Sequence, residues 1–195
     1  MTTGAALSLA ALAVLGIILV TQSSAANEDA SPDTPPPAKA NPYATVLLLG
    51  DSIGVGIAPH LKPLVPGTFE ARVKTGRTTQ GAVSALQGDE STFDVVLLSL
   101  GSNDPAAFPS ALQALLQAVR SGTNAVYWLE PPGFTYNTTK SPAGAAAFAQ
   151  AMHDAGVTML AASPVPPAPD DPMHLHLGPS GYDAFAHAIA SALYA

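Results

Sequence analysis

The sequence predicts an α/β domain in which a five-stranded parallel sheet lies between two layers of helices, a three-layer α/β/α sandwich spanning residues 43–195. Of the 195 residues, 48% are apolar and only 11% are charged, which is enough apolar material for a substantial core. Short apolar runs alternate along the chain with helical patterns. Because parallel neighbours need crossover connections and helices are the usual ones, this alternation predicts a parallel sheet covered on both faces.

The elements follow from apolar spacing and from stop signals. Strands are predicted at the apolar runs 45–49, 94–100, 124–129 and 157–161, and at 69–74, where residues alternate as in a strand. Helices are predicted at 53–64, 78–87, 109–121, 142–155 and from about residue 180 to the end. Gly156 is predicted to stop the fourth helix. Four polar or small residues follow strand ends at the edge where such sheets bind ligands: Ser52, Gly76, Asn103 and Glu130.

The N-terminal segment predicts export or membrane attachment. Residues 5–20 are almost all Ala, Leu, Val and Ile, and no charge occurs before Glu28, so 1–26 is typical of a signal peptide or membrane anchor. Residues 27–42 are rich in proline and lack large apolar side chains, which predicts a disordered linker. We therefore expect a secreted, periplasmic or membrane-anchored extracytoplasmic protein, with a possible membrane tether through 5–20.

Composition excludes several classes of function. The net charge is −7 and the seven basic residues are scattered, so no nucleic-acid partner is expected. The chain has no cysteine, which excludes disulfides, thiolate catalysis and cysteine-ligated zinc. His174 and His176 form a His-x-His pair with too few accompanying ligands for zinc, so no metal site is predicted.

The turn Gly50-Asp51-Ser52 after the first strand has three interpretations. Ser52 could cap the helix predicted to begin at Ile53, which is the commonest role of serine there. The glycines could form a dinucleotide loop, but their order is G-x-x-x-G-x-G rather than G-x-G-x-x-G. Ser52 could also be a nucleophile, and the turn alone does not decide among these.

Four short blocks occur in order along the domain, each at a predicted strand end or before the last helix. They are Gly50-Asp51-Ser52, Gly76, Gly101-Ser102-Asn103-Asp104 and Asp171-x-x-His174. From about Val46 to the C-terminus the chain therefore resembles the SGNH hydrolase family, also called GDSL-like esterases and lipases. The resemblance implies the SGNH hydrolase fold, with a flavodoxin-like strand order, and a hydrolase that needs no cofactor.

The resemblance also implies roles for individual residues. Ser52 is the expected nucleophile, and Asp171 is the expected acid of a Ser-His-Asp triad. The family's histidine lies three residues after the aspartate, which points to His174, and about five residues before a Gly-Tyr pair, which points to His176. His174 is slightly preferred. The expected oxyanion hole consists of the Ser52 and Gly76 backbone N–H groups and the Asn103 side chain.

The predicted function is that of a serine esterase acting through an acyl-enzyme, with acetylesterase-like or lipase-like character. Its expected substrates are O-acetyl groups on carbohydrate or short acyl esters. One alternative is a catalytically inactive glycan-binding module on the SGNH fold, and another is a flavodoxin-like cofactor binder. Among other polar residues, Asp51 and Asp104 are expected to brace their loops, Arg77 to be a surface residue, and Trp128 to lie in the core.

Overall fold

A computed structural model describes residues 39–104, 109–120, 123–130, 152–161, 168–171 and 176–194. The predicted signal peptide or anchor, 1–26, lies outside these ranges, as do residues 27–38 of the predicted linker. Residues 142–151 of the predicted helix 142–155 also lie outside these ranges, and residues 152–154 are helical. The prediction of a tether therefore stays a prediction.

Five parallel strands form one sheet in the order β2-β1-β3-β4-β5. The strands are β1 (Thr45–Gly50), β2 (Thr68–Val73), β3 (Val95–Ser99), β4 (Ala125–Glu130) and β5 (Thr158–Ala161). All five predicted strands are present, each within one residue at either end. The order is the flavodoxin-like one, so the predicted fold class is confirmed.

Helices connect these strands. They are α1 (Ser52–Leu61), followed by a short 3-10 turn (Lys62–Leu64), then α2 (Thr79–Leu86), α3 (Pro109–Arg120) and α4 (Pro179–Tyr194). The predicted stop at Gly156 is confirmed. Gly156 has φ of 63°, its N–H donates to His153 O, and the next N–H donates to Met152 O, which together form a Schellman motif.

The helices cover both faces of the sheet. On one face Leu47 lines a small cavity together with Leu86 of α2 and Val119 of α3. On the other face a Cβ placed on Gly50 would lie 3.1 Å from Gly54 of α1. Because residues of a strand point alternately to opposite faces, α1 lies opposite α2 and α3. Burial on both faces explains why β1 and β3 are continuous apolar runs rather than alternating ones.

The strand register brings three loops together at the carboxyl ends of neighbouring strands. Gly50, the last residue of β1, pairs with Val73 at the end of β2 and with Ser99 at the end of β3. The loops that follow carry Ser52, Gly76 and Asn103, so the topology places them side by side. Among the described residues, no helix combines the length and apolar character needed to span a bilayer.

Candidate active site

Ser52 occupies the first position of α1, directly behind its N-cap. The cap is Asp51, whose Oδ1 accepts a hydrogen bond from Ile53 N at 2.9 Å. The interpretation of Ser52 as the cap is therefore wrong, because the helix begins one residue earlier than predicted and the carboxylate serves this role. The Ser52 hydroxyl is left available for a different contact.

That contact is with His176. The Ser52 Oγ and His176 Nε2 atoms are 3.0 Å apart, and the His176 Nδ1 and Asp171 Oδ2 atoms are 3.2 Å apart. Asp171 also accepts a hydrogen bond from the His176 backbone N–H. Its side chain is 9% exposed, whereas that of His176 is 41% exposed. If Nδ1 carries the proton that faces the carboxylate, Nε2 has a lone pair directed at the serine hydroxyl.

The loop before α4 closes in a way that brings His176 back to Asp171. Ala168 N donates to His176 O at 2.7 Å, and Asp171 N donates to Ala168 O at 3.1 Å. His176, the residue indicated by the spacing from the Gly-Tyr pair, therefore contacts both Ser52 and Asp171. The slightly preferred residue, His174, lies outside the described residues.

Gly76 sits in a tight turn that its lack of a side chain permits. Arg77 N donates to Lys74 O at 3.1 Å, which closes a four-residue turn with Gly76 in its third position. Gly76 has φ of 73°, a conformation that glycine adopts without cost. No described atom lies within 4 Å of where its Cβ would be, so the space beside this backbone is open.

Asn103 links the loops that follow β1 and β2. Its Nδ2 donates to Asp51 Oδ2 and to Arg77 O, both at 3.3 Å, and to Ser102 Oγ at 3.2 Å. These distances are long for N–H···O bonds, so each one is weak. The amide is therefore held between two loops by weak bonds while the residue remains exposed.

Asp51 is the buried carboxylate on which this network is centred. It is 1% exposed, and besides Ile53 N and Asn103 it accepts a hydrogen bond from the Ser102 hydroxyl. Burial raises the pKa of Asp51, and the bonds from Ser102 and Ile53 together with the nearby His176 oppose that rise. No role was predicted for Ser102 from the sequence. Its position inside the Gly-Ser-Asn-Asp block was the one sequence feature that could have indicated a role in the site.

The remaining predicted residues have structural roles. Asp104 joins its loop to α2, since its carboxylate accepts hydrogen bonds from the Thr79 backbone N–H at 2.9 and 3.1 Å and from the Thr79 hydroxyl at 2.8 Å. Arg77 is half-buried and donates to Arg72 O, so it is less exposed than predicted. Trp128 is fully buried in the core, as predicted. Glu130, predicted to follow the fourth strand, is the last residue of β4.

Within the described ranges, no group of three or more His, Cys, Asp or Glu side chains could hold a metal ion. The arrangement that is present consists of a hydroxyl, an imidazole and a carboxylate in sequence, beside a cluster of potential N–H donors. This combination can activate a serine as a nucleophile toward a carbonyl carbon.

Comparison with known proteins shows the similarity in structure rather than in sequence. No protein-family model matches the chain, and no curated protein sequence matches it. Solved structures do match, and three of them cover 76% of this chain.

The first is the C-terminal catalytic domain of peptidoglycan O-acetyltransferase A from Streptococcus pneumoniae, described with a methylsulfonyl adduct. It is 18% identical, 92% of it is covered, and the TM-score is 0.61. The second is a GDSL-like lipase from Bacteroides thetaiotaomicron, 13% identical, with 86% covered and a TM-score of 0.60. The third is a lipolytic protein of the G-D-S-L family from Desulfitobacterium hafniense, 16% identical, with 98% covered and a TM-score of 0.60.

The fold of this chain is the one that these solved structures share, which is the predicted SGNH hydrolase fold. The sheet order, the crossover helices and the structural matches agree on it, so the recognition made from the sequence is confirmed at the level of the fold.

Proposed function

We propose that this chain is a serine ester hydrolase of the SGNH type that works through an acyl-enzyme. The observation that carries the proposal is the pair of contacts from His176, one to the Ser52 hydroxyl at 3.0 Å and one to the Asp171 carboxylate at 3.2 Å. The names of the structural neighbours, GDSL-like lipase and acylhydrolase, support an ester-acting function. The same contacts favour catalysis over the alternative of an inactive glycan-binding module, because a binding module gains nothing from a serine held against an imidazole.

The mechanism follows from these contacts. Ser52 Oγ attacks the ester carbonyl as its proton passes to His176 Nε2, and Asp171 stabilises the imidazolium that forms. His176 then gives that proton to the departing alkoxide, which leaves as an alcohol, and the acyl group stays bonded to Ser52 Oγ. Water attacks the acyl carbon, again losing its proton to His176. The imidazolium returns the proton to Ser52 as the carboxylic acid leaves.

The negative charge that develops on the carbonyl oxygen needs donors already in place. We assign this role to the Ser52 and Gly76 backbone N–H groups and to the Asn103 amide. The common edge position of their loops and the open space beside Gly76 support the assignment. The Asn103 NH₂ group carries two hydrogens, so one can stay bonded to Asp51 while the other leaves its weak bond to Arg77 O for the charged oxygen.

The substrates that we propose are O-acetyl groups on carbohydrate or short acyl esters. The predicted signal peptide or anchor at 1–26 supports this choice, since it directs the domain outside the cytoplasm, where such esters occur on envelope and environmental polysaccharides. The tether through 5–20 would hold the domain near a membrane surface. No nucleic-acid partner is proposed for a chain of net charge −7.

A second candidate is transfer of the acyl group to a sugar hydroxyl instead of water. The specific observation in its favour is the match to the catalytic domain of a peptidoglycan O-acetyltransferase. Hydrolysis and transfer share every step up to the acyl-serine, so the same site residues serve both. Product analysis with an acetyl ester in the presence of an oligosaccharide acceptor separates them, because only transfer yields the acetylated sugar.

The test of the proposal is the turnover of p-nitrophenyl acetate and of acetylated sugars by the purified domain. Ser52→Ala is expected to abolish turnover, while Ser84→Ala, an exposed serine on α2, is expected to leave it unchanged. A panel of esters of rising chain length then ranks the acyl groups. Turnover by Ser52→Ala equal to that of the unmodified protein would show that the proposed function is wrong.

A further inference from the structure

The ring of one tyrosine lies directly on the helix that carries Ser52. A Cβ placed on Gly56 would lie 2.2, 2.5 and 2.6 Å from Cζ, Cε1 and Cε2 of Tyr182. Gly56 follows Ser52 by four residues on α1, so both lie on the same side of that helix, about one turn apart. Tyr182 lies in the first turn of α4, shortly after His176.

The hydroxyl end of Tyr182 reaches back toward the histidine segment. Burial raises the pKa of the Tyr182 hydroxyl, a hydrogen bond with the Leu177 backbone opposes the rise, and the charges of Asp51 and Asp171 add to it. Leu177 is the residue directly after His176 and is itself buried. The Tyr182 ring therefore touches α1, while its backbone N–H, which donates to Gly178 O at 3.0 Å, joins it to the segment that follows His176.

A second contact supports this junction from the outer side. The His60 ring of α1 stacks on Tyr182, with centroids 6.4 Å apart and an interplanar angle of 23°. His60 Nδ1 also lies 3.4 Å from Asp183 Oδ1. Gly56 and His60 are four residues apart on one face of α1, so the Tyr182 ring lies over Gly56 with the imidazole of the next turn beside it.

We propose that Tyr182 is a positioning residue, which sets the distance between the Ser52 hydroxyl and the His176 imidazole by packing on Gly56. This inference rests on the proposed function. The 3.0 Å contact joins residues 124 positions apart in the chain, so it depends on how α4 and the loop before it are held against α1. A displacement of about 1 Å at such a contact is enough to cost about 100-fold in rate.

Gly56 is explained by the same packing. Glycine weakens the interior of a helix relative to alanine, so its use in α1 calls for a compensating contact. Carbon atoms in normal contact are about 3.5–4.0 Å apart, so even a methyl group at this position would push the ring outward by about 1 Å or more. The displaced ring would carry the start of α4, and His176 with it, away from Ser52.

The experiment measures the second-order rate of serine labelling by a fluorophosphonate probe, together with kcat and KM for p-nitrophenyl acetate. Tyr182→Ala and Gly56→Ala are each expected to lower the labelling rate and kcat by about 100-fold, with KM changed by less than about threefold. Tyr182→Phe keeps the ring and is expected to stay within about threefold of the unmodified protein. Tyr194→Ala, near the other end of α4, is the matched control and is expected to lower thermal stability without lowering the labelling rate.

The double variant Gly56→Ala/Tyr182→Ala is expected to be no slower than either single variant, because the added methyl group has no ring left to displace. If Tyr182→Ala does not fold, Gly56→Ala retains every core side chain and carries the same test. Labelling of folded Gly56→Ala or Tyr182→Ala within about threefold of the unmodified protein, or losses that add in the double variant, would overturn the positioning role alone. Absence of labelling in the unmodified protein would instead overturn the proposed function and the positioning role together.

Discussion

Replacement of Asp51 by asparagine separates the catalytic role of this buried carboxylate from its structural one. Asparagine has the same shape and caps helices as well as aspartate does, so its side-chain oxygen can still accept the bond from Ile53 N. What Asp51→Asn removes is the acceptor for Asn103, because an amide NH₂ group then faces the Asn103 Nδ2. Ser102 can reverse its hydroxyl and accept instead of donating.

The expected loss in turnover follows from the partners that Asn103 retains. Complete loss of one oxyanion donor costs about 10²–10³ in kcat. Asn103 keeps its contacts to Arg77 O at 3.3 Å and to Ser102 Oγ at 3.2 Å, so only part of its orientation is lost. We expect kcat to fall by about tenfold to 100-fold, with KM changed by less than about threefold, since the donor acts in the transition state.

Stability is expected to respond differently from activity. Burial raises the pKa of Asp51 above 3.8, so the folded state binds its proton more readily than the unfolded state. The contribution of Asp51 to the free energy of unfolding therefore falls as the pH rises from 3.8 through the pKa of Asp51 in the folded state. Asp51→Asn has no titrating group at this position, so its free energy of unfolding does not show this decrease. At neutral pH we expect the free energy of unfolding of the variant to lie within about 1 kcal/mol of the unmodified value.

The assay combines steady-state hydrolysis of p-nitrophenyl acetate with urea unfolding at several pH values. Asp51→Ala serves as the contrast, since it also removes the cap and is expected to cost a further 0.5–2 kcal/mol or so. A folded Asp51→Asn variant with unchanged kcat would refute the reasoning, because it would show that the Asn103 amide is positioned without the carboxylate.

Three further predictions concern the surroundings of the site and the sheet. Gly76→Ala is expected to lower the free energy of unfolding by about 1–2 kcal/mol because of the φ of 73° alone, since no atom of the described residues lies within 4 Å of the new methyl group. Unchanged urea unfolding would contradict this prediction. The bond with Arg72 lowers the pKa of Asp89 from 3.8 to about 2, so Asp89 is expected to stabilise the fold above pH 3.8 and to lose this contribution as the pH falls toward 2. In acid unfolding experiments, Asp89→Asn should therefore lose less free energy of unfolding between pH 3.8 and pH 2 than the unmodified protein. Ser99 is 2% exposed and its hydroxyl has no hydrogen-bond partner among the described residues, so Ser99→Ala is expected to raise the free energy of unfolding by about 1 kcal/mol, and a lower thermal midpoint would count against this.

The sheet was predictable because its information is local. Four strands are short apolar runs and β2 is an alternating segment, all ended by glycine, proline or polar residues, and these signals fix the ends to within one residue. The N-terminus of α1 was placed one residue late because both Asp51 and Ser52 are good caps, and only the folded turn shows that the carboxylate faces Ile53 N. β2 and β5 lie at the two edges of the sheet, and both are more exposed than the three central strands.

The site was predictable only in part, because its geometry depends on contacts between distant segments. The two histidine spacings could not be separated without the bond from Ala168 N to His176 O, which closes the loop. The roles of Ser102 and Tyr182 depend on neighbours supplied by other loops and helices. A glycine at position 56 in a helical segment was a local indication of close packing, but no sequence pattern identifies Tyr182 as the residue that packs there.

The most direct test of the account is to treat the protein with a fluorophosphonate probe and to locate the modified residue by peptide mass spectrometry. The account predicts modification at Ser52, loss of this modification in His176→Ala, and its retention in His174→Ala. Modification at another residue, or labelling of His176→Ala as fast as that of the unmodified protein, would contradict it.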